Sequence, residues 1–376
     1  TSTFKMPPNQ AAWLVRSKAS PFEVRSAPYT RPREGEIAIR THAVAINPID
    51  WTIQGQGTTL MYQWLSYPTI LGTDVAGEVV EVGLNVTTFR VGDRAFGKAC
   101  GTDEEINSHT QGGFQLYVIL AAHMACPIPD PLSYEQAAVL PLGVSTAACG
   151  LFEPDQLNLK PPCARPELTG QTVIIWGGAS SVGTCAIQLA RAAGYRVFAT
   201  ASPKNFELVR QLGASRVFDY RSQTVIPDMI AACQGETVAG ALTVGANGAD
   251  CCFDILAQCT GPRFISMAAY PVPQPPPAHL TVPRTALAFM VGNSKYWYKS
   301  RMRGIKYKYI FASTLYHNGV GAMVFQQYLP QALAEGRFRP APEPIVYGRG
   351  LADIQGAVDF HKLGVSAQKV VVLLDD

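Results

Sequence analysis

The turn at residues 177–183 is the part of the sequence best suited to bind a ligand. An apolar run, "TVIIW", leads into "GGASSVG" and then into "SVGTCAIQLARAAG", which has the apolar spacing of a helix. Glycines permit the sharp turn and close packing of helix on strand, and the helix N-terminus offers free N–H groups to a pyrophosphate. A tight turn without a ligand is the alternative. The predicted dinucleotide contacts here are Gly177, Gly178, Ser180, Ser181, Val182 and Gly183.

Ser180 stands where the glycine fingerprint has its middle glycine. We expect its N–H to serve as well as a glycine N–H, and its hydroxyl to add a donor to the phosphate. Its Cβ should push the phosphate outward and widen the turn.

The end of the second strand, "YRVFATAS", indicates which coenzyme binds. NAD-specific proteins have an acidic residue here that holds the ribose 2′-hydroxyl. This chain instead has Ser202 and Lys204, and no carboxylate occurs before Glu207. A hydroxyl and an ammonium suit a 2′-phosphate, so we predict NADPH. The alternative is that "SPKN" simply caps a helix.

The surrounding elements predict an α/β protein. Residues 1–143 contain short β-branched runs broken by Gly, Pro and Asp, which favour a β-rich domain. From Gln171 strands alternate with helices, as in a doubly wound parallel sheet. A proline-rich stretch, "AYPVPQPPPAHL", follows at 269–280, and "APEPIVYGRGL…QKVVVLLDD" near the C-terminus predicts a hairpin.

Composition limits the possible functions. A chain of 376 residues with 16% charged residues and a net charge of +3 is ordinary for a globular protein of two domains, and it argues against a general nucleic-acid binder. The nine cysteines include no C-x-x-C pair, which favours a reducing compartment. No apolar segment reaches membrane-spanning length, so we expect a cytoplasmic protein.

The order of motifs along the chain resembles the medium-chain dehydrogenase/reductase family. The motifs are "AINPID", "LGTDVAGEVVEVG", "VGDRAFG", "LPLGVSTAACGL" and "LGASRVFDY". The resemblance implies a GroES-like catalytic domain (1–143 and 315–376) and an inserted NADPH-binding Rossmann domain (144–314). Zinc-dependent members have a Cys near "INPID" and Gly-His-Glu near "GTD". Asn47 and Thr73 occupy those positions here, so we predict a zinc-free reductase with no metal ligand.

Within the family, "AINP-D", "STA", "SP-N" and "VFDYR" resemble fungal trans-acting enoyl reductases that serve iterative polyketide synthases or synthase–peptide synthetase hybrids. A member of that group has a lysine where this chain has Thr52, so no catalytic or positioning role of that lysine is carried over to this chain. The resemblance implies further coenzyme contacts at Asn47, Ile49, Asp50, Trp51, Thr52, Ser202, Pro203, Lys204, Asn205, Tyr220, Ser266, Val365 and Ser366. It implies an acyl-chain border at Thr146, Ala147, Gly150, Phe152 and Glu153 and, in a loop, at Leu287, Phe289 and Met290.

The implied reaction moves hydride from NADPH to the β-carbon of an α,β-unsaturated thioester, and the negative charge on the thioester oxygen needs donors. Thr146 is a candidate for this positioning role. No proton donor is identified, because Tyr62 lies in "YQWLSYP", a stretch that suits aromatic packing, and a bound water is an alternative. Two other functions stay open: a stand-alone NADPH quinone or enone oxidoreductase, and a non-catalytic NADPH-binding synthase partner.

Two predictions concern partners. The basic, aromatic tract "KYWYKSRMRGIKYKYI" at 295–310 has no acidic residue. It is either a solvated loop with inward aromatics or a docking patch for the acidic acyl-carrier domain of a polyketide synthase. Dimeric relatives join the edge strands of their Rossmann sheets, and the prolines at 271–277 should prevent this, so we predict a monomer.

Overall fold

A computed structural model of the protein describes residues 7–57, 62–245, 247–273 and 281–374. The chain forms two compact units. The first contains the chain up to Leu142, Phe325–Glu335 and the C-terminal segment from Glu343. The second contains Gly143–Val324 and Gly336–Pro342.

A parallel sheet forms the centre of the second unit. Its described strands lie in the order β11-β10-β9-β12-β13-β14, which is the Rossmann order, so the predicted parallel sheet is confirmed. The strands are β9 (Gln171–Trp176), β10 (Arg196–Ala201), β11 (Arg216–Asp219), β12 (Thr237–Thr243), β13 (Phe264–Met267) and β14 (Lys306–Tyr309). Val173, Ile174 and Ile175 of β9 have no exposed surface, as expected where helices cover both faces.

The helices that connect these strands are α4 (Ser181–Ala192), α5 (Phe206–Gln211), α6 (Val225–Ala232), α7 (Gly248–Leu256) and α8 (Thr281–Arg303). Helix α3 (Pro141–Phe152) precedes β9, and the short α9 (Gly319–Ala322) follows β14. A buried cluster that includes Met229, Phe253 and Ile265 joins α6 and α7 to the sheet. Each crossover helix returns the chain to the start of the next parallel strand. The carboxyl ends of the strands, which precede the helices, therefore lie at one edge of the sheet.

The first unit is mainly antiparallel. One described sheet has the order β15-β16-β3-β5-β6-β8, with β7 also paired to β3, and a second has the order β2-β1-β4. The strands are β1 (Asn9–Leu14), β2 (Glu23–Ala27), β3 (Glu36–Ala45), β4 (Thr69–Ile70), β5 (Asp74–Val82), β6 (Arg94–Lys98), β7 (Tyr117–Ala121), β8 (Ala125–Pro127), β15 (Glu343–Arg349) and β16 (Gln368–Leu373). The helices are α1 (Pro48–Gln56), α2 (Tyr134–Ala138), α10 (Leu329–Ala334) and α11 (Ile354–Lys362).

Three sequence expectations about local structure are wrong. The C-terminal strands do not form a hairpin, because α11 crosses between them and β15 pairs with β16 in parallel. The region of Leu287, Phe289 and Met290 is not a loop but part of α8. The basic tract is not a solvated loop either, because it forms the end of α8 and then β14.

The outer edge of the Rossmann sheet differs from the edge on which the predicted monomer depends. The outer strand of the Rossmann sheet next to β13 is β14, with the sequence KYKY and no proline. Pro271 and Pro273 precede α8, and the other prolines of that stretch lie outside the described residues. Proline therefore does not protect this edge, and the monomer stays a prediction.

Candidate coenzyme and substrate sites

Ser180 caps the helix that follows the turn. Its backbone is extended, and its hydroxyl accepts a hydrogen bond from the Gly183 N–H at 3.0 Å. The same hydroxyl donates to the Gly177 carbonyl at 2.8 Å. The side chain is thus bonded within the turn, which differs from the expected extra donor to a phosphate. Serine is tolerated because its negative φ suits any residue and its hydroxyl takes the usual N-cap role.

The backbone amides at the start of α4 are the donors that the turn can offer. The Gly183 N–H is bonded to the Ser180 hydroxyl, and the Thr184 N–H to the Ser180 carbonyl at 2.8 Å. An α-helix leaves its first amides without intrahelical acceptors, so those of Ser181 and Val182 remain available. Both residues are only half-buried. Two adjacent amides at a helix N-terminus suit a pyrophosphate.

Two glycines allow the backbone to approach itself closely. Gly177 has φ of +89°, and a Cβ there would lie 2.8 Å from the Val244 carbonyl oxygen. A Cβ at Gly183 would lie 2.2 Å from the Gly177 carbonyl oxygen. Because these neighbours are backbone atoms, a side chain at either position would force the turn open.

The end of β10 fixes the turn and supplies the next predicted contacts. Thr200 accepts the Gly177 N–H on its hydroxyl at 3.0 Å and the Gly178 N–H on its carbonyl at 2.7 Å. Beyond it, the Ser202 hydroxyl accepts from the Asn205 side chain at 3.1 Å, closing a turn that includes Pro203.

Lys204 is the charged group at this turn. Its side chain is exposed and has no ion pair with any residue that the structure describes. The first carboxylate after β10, Glu207, is exposed and accepts from Gln211 at 2.9 Å. A free ammonium without a carboxylate on the preceding strand end fits a coenzyme that carries a 2′-phosphate.

The predicted contacts of the second unit meet at one edge of the sheet. Tyr220 follows β11 and is 43% exposed, and the Arg221 guanidinium lies 5.3 Å from the centre of its ring. Since β9, β10 and β11 are adjacent and parallel, the turn at 177–183, the turn at 202–205 and Tyr220 all follow their carboxyl ends. This edge is where doubly wound sheets bind ligands.

Ser266 and half of the predicted acyl-chain border are buried inside the second unit. Ser266 has no exposed surface and donates to the Gly150 carbonyl at 2.9 Å. Ala147, Gly150 and Phe152 of α3 are also buried, whereas Thr146 is half-buried. Thr146 is therefore the α3 residue of this set that keeps some exposed surface.

Glu153 is a buried carboxylate that ties α3 to the segment at 311–318. It accepts from the Cys149 thiol at 2.9 Å, from the Thr314 hydroxyl at 2.5 Å and from the Asn318 amide at 2.6 Å. Burial raises the pKa of the Cys149 thiol, and the neighbouring carboxylate raises it further. These contacts are structural, and they occupy the carboxylate oxygens that were predicted to border substrate.

The remaining predicted substrate residues differ in exposure. Leu287 and Met290 are strongly exposed on α8. Phe289 contacts Tyr270 and Tyr309, with ring centroids 6.0 and 6.2 Å away. Leu287 and Met290 are therefore more open at the surface than Phe289, which packs among these rings.

A buried polar network lies in the first unit. Asn47 donates from its side chain to the Thr73 hydroxyl at 2.9 Å and to Asp74 Oδ2 at 2.8 Å. The ammonium of Lys369 lies 2.9 Å from Asp74 Oδ2 and donates to Asn47 Oδ1. The Leu142 N–H donates to Asp74 Oδ1 at 2.6 Å. The positions that would carry zinc ligands in zinc-dependent relatives are thus bonded to one another and to a lysine.

Asp50 borders this network. It is 1% exposed and accepts the Asn47 N–H at 2.7 Å at the start of α1. Burial raises its pKa to about 7, the Asp74 carboxylate adds to that rise, and Lys369 opposes it. Asn47 and Asp50 therefore hold the start of α1, and their side chains have little surface for direct contact with a coenzyme.

The other predicted contacts of the first unit lie on α1 and after α11. The Trp51 indole N–H donates to His361 Nδ1 at 3.1 Å, joining the two helices. Burial lowers the pKa of His361 to about 4, and Lys369 lowers it further, so the imidazole is a neutral acceptor. Thr52 donates to the Pro48 carbonyl at 2.7 Å. Ile49 and Val365 pack partly against the core, and Ser366 is exposed.

Tyr62 packs against Trp64, with ring centroids 5.1 Å apart. Burial raises its pKa to about 12, and the Asp103 carboxylate adds to the rise. An ion pair between Lys98 and Asp103, at 3.1 Å, was not predicted from the sequence. A charge at the end of an apolar strand was its only signal.

Two further observations concern the part of the chain that the structure describes. It contains no group of three or more His, Cys, Asp or Glu side chains arranged to hold a metal ion. Nor does it contain a helix long and apolar enough to cross a membrane.

Two known families match the chain, one within each of its two units. Residues 33–130 match the family described as alcohol dehydrogenase GroES-like domain, and residues 181–270 match the one described as zinc-binding dehydrogenase. The dehydrogenase pigH of Monascus ruber is 52% identical over 98% of this chain and 100% of its own length. The chain therefore belongs to the medium-chain dehydrogenase/reductase family of oxidoreductases, which bind a nicotinamide coenzyme on the Rossmann domain.

Two further relatives are informative. The trans-enoyl reductase himH of Aspergillus japonicus is 38% identical, with 97% of each chain covered. The crystal structure of CurK enoyl reductase superposes with a TM-score of 0.70 over 98% of this chain and 99% of that one. At 20% identity, this second similarity shows the shared fold.

Proposed function

We propose that the protein is a trans-acting enoyl reductase of fungal secondary metabolism. It would transfer hydride from NADPH to the β-carbon of an α,β-unsaturated polyketide thioester on an acyl-carrier domain. The observation that carries the coenzyme half of the proposal is the exposed Lys204 beside an amide-rich turn, without a carboxylate at the end of β10. The relatives named trans-enoyl reductases support the substrate half.

Coenzyme binding would use the carboxyl edge of the Rossmann sheet. The amides of Ser181 and Val182 would hold the pyrophosphate, and Lys204 with Ser202 would hold the 2′-phosphate. Tyr220, half-exposed at the end of β11, would border the adenine. In the first unit, the Trp51 indole N–H donates to His361 and joins α1 to α11.

The remaining steps concern the thioester. A bound NADPH would supply the hydride and leave as NADP⁺. The negative charge that develops on the thioester oxygen needs a donor, and the half-buried Thr146 hydroxyl is the candidate on α3. The α-carbon then takes a proton. We assign that proton to a bound water, because the Tyr62 ring packs against Trp64 and the hydrophobic core of the first unit.

NADPH consumption with three substrates tests the function: a pantetheine-linked enoyl thioester, a free quinone and a free enone. We expect rapid turnover of the thioester alone. Faster turnover of the quinone or enone would establish a stand-alone oxidoreductase instead. NADPH binding without turnover of any substrate would establish a non-catalytic synthase partner.

The same assay tests Thr146. Thr146→Val removes the hydroxyl at nearly constant volume and should lower kcat on the thioester about 100-fold, the range seen when one oxyanion donor is removed. Thr146→Ser keeps a hydroxyl and should stay within a few-fold of the unmodified enzyme. Equal rates for both variants would remove Thr146 from the reaction.

A further inference from the structure

Helix α8 has its charged and apolar faces reversed relative to an ordinary surface helix. Lys295, Lys299 and Arg303, spaced four residues apart, face α7. Lys295 lies 2.7 Å from Asp250 Oδ2, and Lys299 lies 2.7 Å from Asp250 Oδ1. Arg303 pairs with Asp254. The basic tract identified in the sequence is therefore largely neutralised within the second unit.

These ion pairs fix the orientation of the helix. Burial would raise the pKa of Asp250, but the two ammonium groups hold it below its ordinary value. On the same inward side, Tyr296 is buried and its ring lies 5.8 Å from that of Phe253. Because α8 is anchored by this side, its opposite side must face outward.

That outward side is apolar. Six large side chains on it are each between 58% and 67% exposed. They are Leu287, Met290, Val291, Trp297, Tyr298 and Met302, and we call them the α8 apolar face. At 3.6 residues per turn these six positions fall within about 140° of the helix circumference, so they lie along one side of the helix. An exposed apolar stripe of this length is a mark of an interaction site.

The composition of the face is typical of protein–protein interfaces. Trp, Tyr, Met and Arg are enriched at such interfaces, and Trp, Tyr and Arg contribute most of the binding energy. Exposed cations flank the face at Arg284, Arg301 and Lys306, and none of them has an ion pair with a described residue. No Asp or Glu occurs between Thr281 and Ile310.

We propose that the α8 apolar face, with its three flanking cations, is the docking surface for an acidic protein domain that presents apolar side chains. The charges decide between possible occupants. A second copy would bring these cations against their own equivalents with no carboxylate on the face to offset them. A helix that lies in a membrane surface directs its basic residues to lipid headgroups, whereas Lys295, Lys299 and Arg303 here face the carboxylates of α7.

The acyl-carrier domain of the proposed function is the occupant that we assign, and this assignment rests on that function. Opposite charges would steer the carrier and set its orientation, and the apolar face would hold it. Leu287 and Met290 belong both to this face and to the predicted acyl-chain border, so a docked carrier would lie beside the start of that border.

The test uses changes at the C-terminal half of the face, away from the predicted substrate residues. Trp297→Ser combined with Arg301→Glu removes one apolar anchor and reverses one charge. The matched control is Leu168→Ser combined with Arg165→Glu, two exposed positions of the same unit outside α8. The substrates are crotonyl-pantetheine and a crotonyl group on an isolated polyketide-synthase carrier domain.

The α8 variant should lower kcat/KM for the carrier-bound crotonyl group at least tenfold and leave crotonyl-pantetheine within twofold. The control should leave both unchanged. The docking role is overturned if carrier-bound reduction is unaffected, or if both substrates slow equally. It is equally overturned if the unmodified protein is a dimer that the α8 variant cannot form. The same holds if the unmodified protein binds phosphatidylserine vesicles and the α8 variant does not.

Carrier binding measured by fluorescence anisotropy separates this proposal from the proposed function. If the unmodified protein reduces neither substrate, the proposed function fails. In that case, docking would still be supported if the α8 variant loses carrier binding and the control variant keeps it. Equal binding by the α8 variant and the control would refute docking even if both enzymes are fully active.

Discussion

Two regions of the molecule organise their polar groups by opposite means. One is the proposed coenzyme edge of the second unit, formed by the turns at 177–183 and 202–205 and by Tyr220. The other is the polar network of the first unit. At the coenzyme edge, neighbouring residues form a turn, the donors are backbone amides, and Lys204 is exposed. In the network, Asn47, Asp74 and Lys369 come from distant parts of the chain and are almost completely buried. The first arrangement leaves groups free for a ligand, and the second satisfies its groups internally.

This difference predicts where each region is sensitive to mutation. A change at Lys204 should alter binding of the coenzyme with little effect on folding, because its side chain is exposed. A change in the network should alter folding, because a buried charge that loses its partner costs several kcal/mol.

Lys369→Met should produce the largest effect. It leaves the Asp74 carboxylate buried without its ammonium partner, so the free energy of unfolding should fall by about 3–5 kcal/mol. Urea denaturation followed by circular dichroism measures this. Lys362→Met, at an exposed lysine on α11, should change stability by less than about 0.5 kcal/mol. A loss below about 1 kcal/mol for Lys369→Met would mean that the network does not stabilise the fold.

Asp50→Asn should change how stability depends on pH. The folded pKa is about 7 and the ordinary value is 3.8, so the folded protein binds the Asp50 proton more tightly than the unfolded chain. The stabilisation of the fold by this bound proton is fully present below about pH 4 and is lost as pH rises through about 7. The variant should remove that decline, seen in urea midpoints between pH 4.5 and 8. Parallel curves for variant and parent would refute the assigned pKa.

Gly183→Ala should weaken NADPH binding at least tenfold, or about 1.4 kcal/mol, because the added Cβ would lie 2.2 Å from a backbone oxygen and force the turn open. Titration of NADPH fluorescence provides the dissociation constant. Gly319→Ala is the matched control, since a Cβ there meets nothing within 4 Å. If both variants bind NADPH like the parent, the turn does not hold the coenzyme.

Lys204→Glu should have the smallest effect, confined to coenzyme choice. We expect the parent to bind NADPH at least tenfold more tightly than NADH, or about 1.4 kcal/mol, and the variant to lose most of that preference. Lys160→Glu, another exposed lysine of the same unit, should keep it. Equal affinities of the parent for both coenzymes would contradict the proposed 2′-phosphate site.

The same contrast explains what could be predicted from the sequence. The strand ending at Trp176 and the helix beginning near Val182 were predictable because local apolar spacing and glycines determine them. The Ser180 hydroxyl bonds were not, because the sequence does not reveal which way a side chain folds. The parallel pairing of β15 with β16 was missed because it depends on α11 crossing between them.

The network was less accessible to sequence analysis. Its members are brought together only by tertiary structure, and no spacing rule connects Asn47 with Lys369. One local signal existed: Lys369 is a lone charge in the apolar strand "QKVVVL". The inward pairing of the α8 lysines was hidden for the same reason, since each lies 45 or more residues after the aspartate with which it pairs.

Isotope transfer from the coenzyme is the sharpest test of hydride transfer to the β-carbon. The unmodified protein is given crotonyl-pantetheine and NADPH deuterated at the transferable C4 position, and the product is analysed by mass spectrometry and NMR. We expect one deuterium per product molecule, located on the β-carbon, with the α-carbon hydrogen taken from solvent. A product without deuterium, or with deuterium on the α-carbon, would contradict hydride transfer from NADPH to the β-carbon.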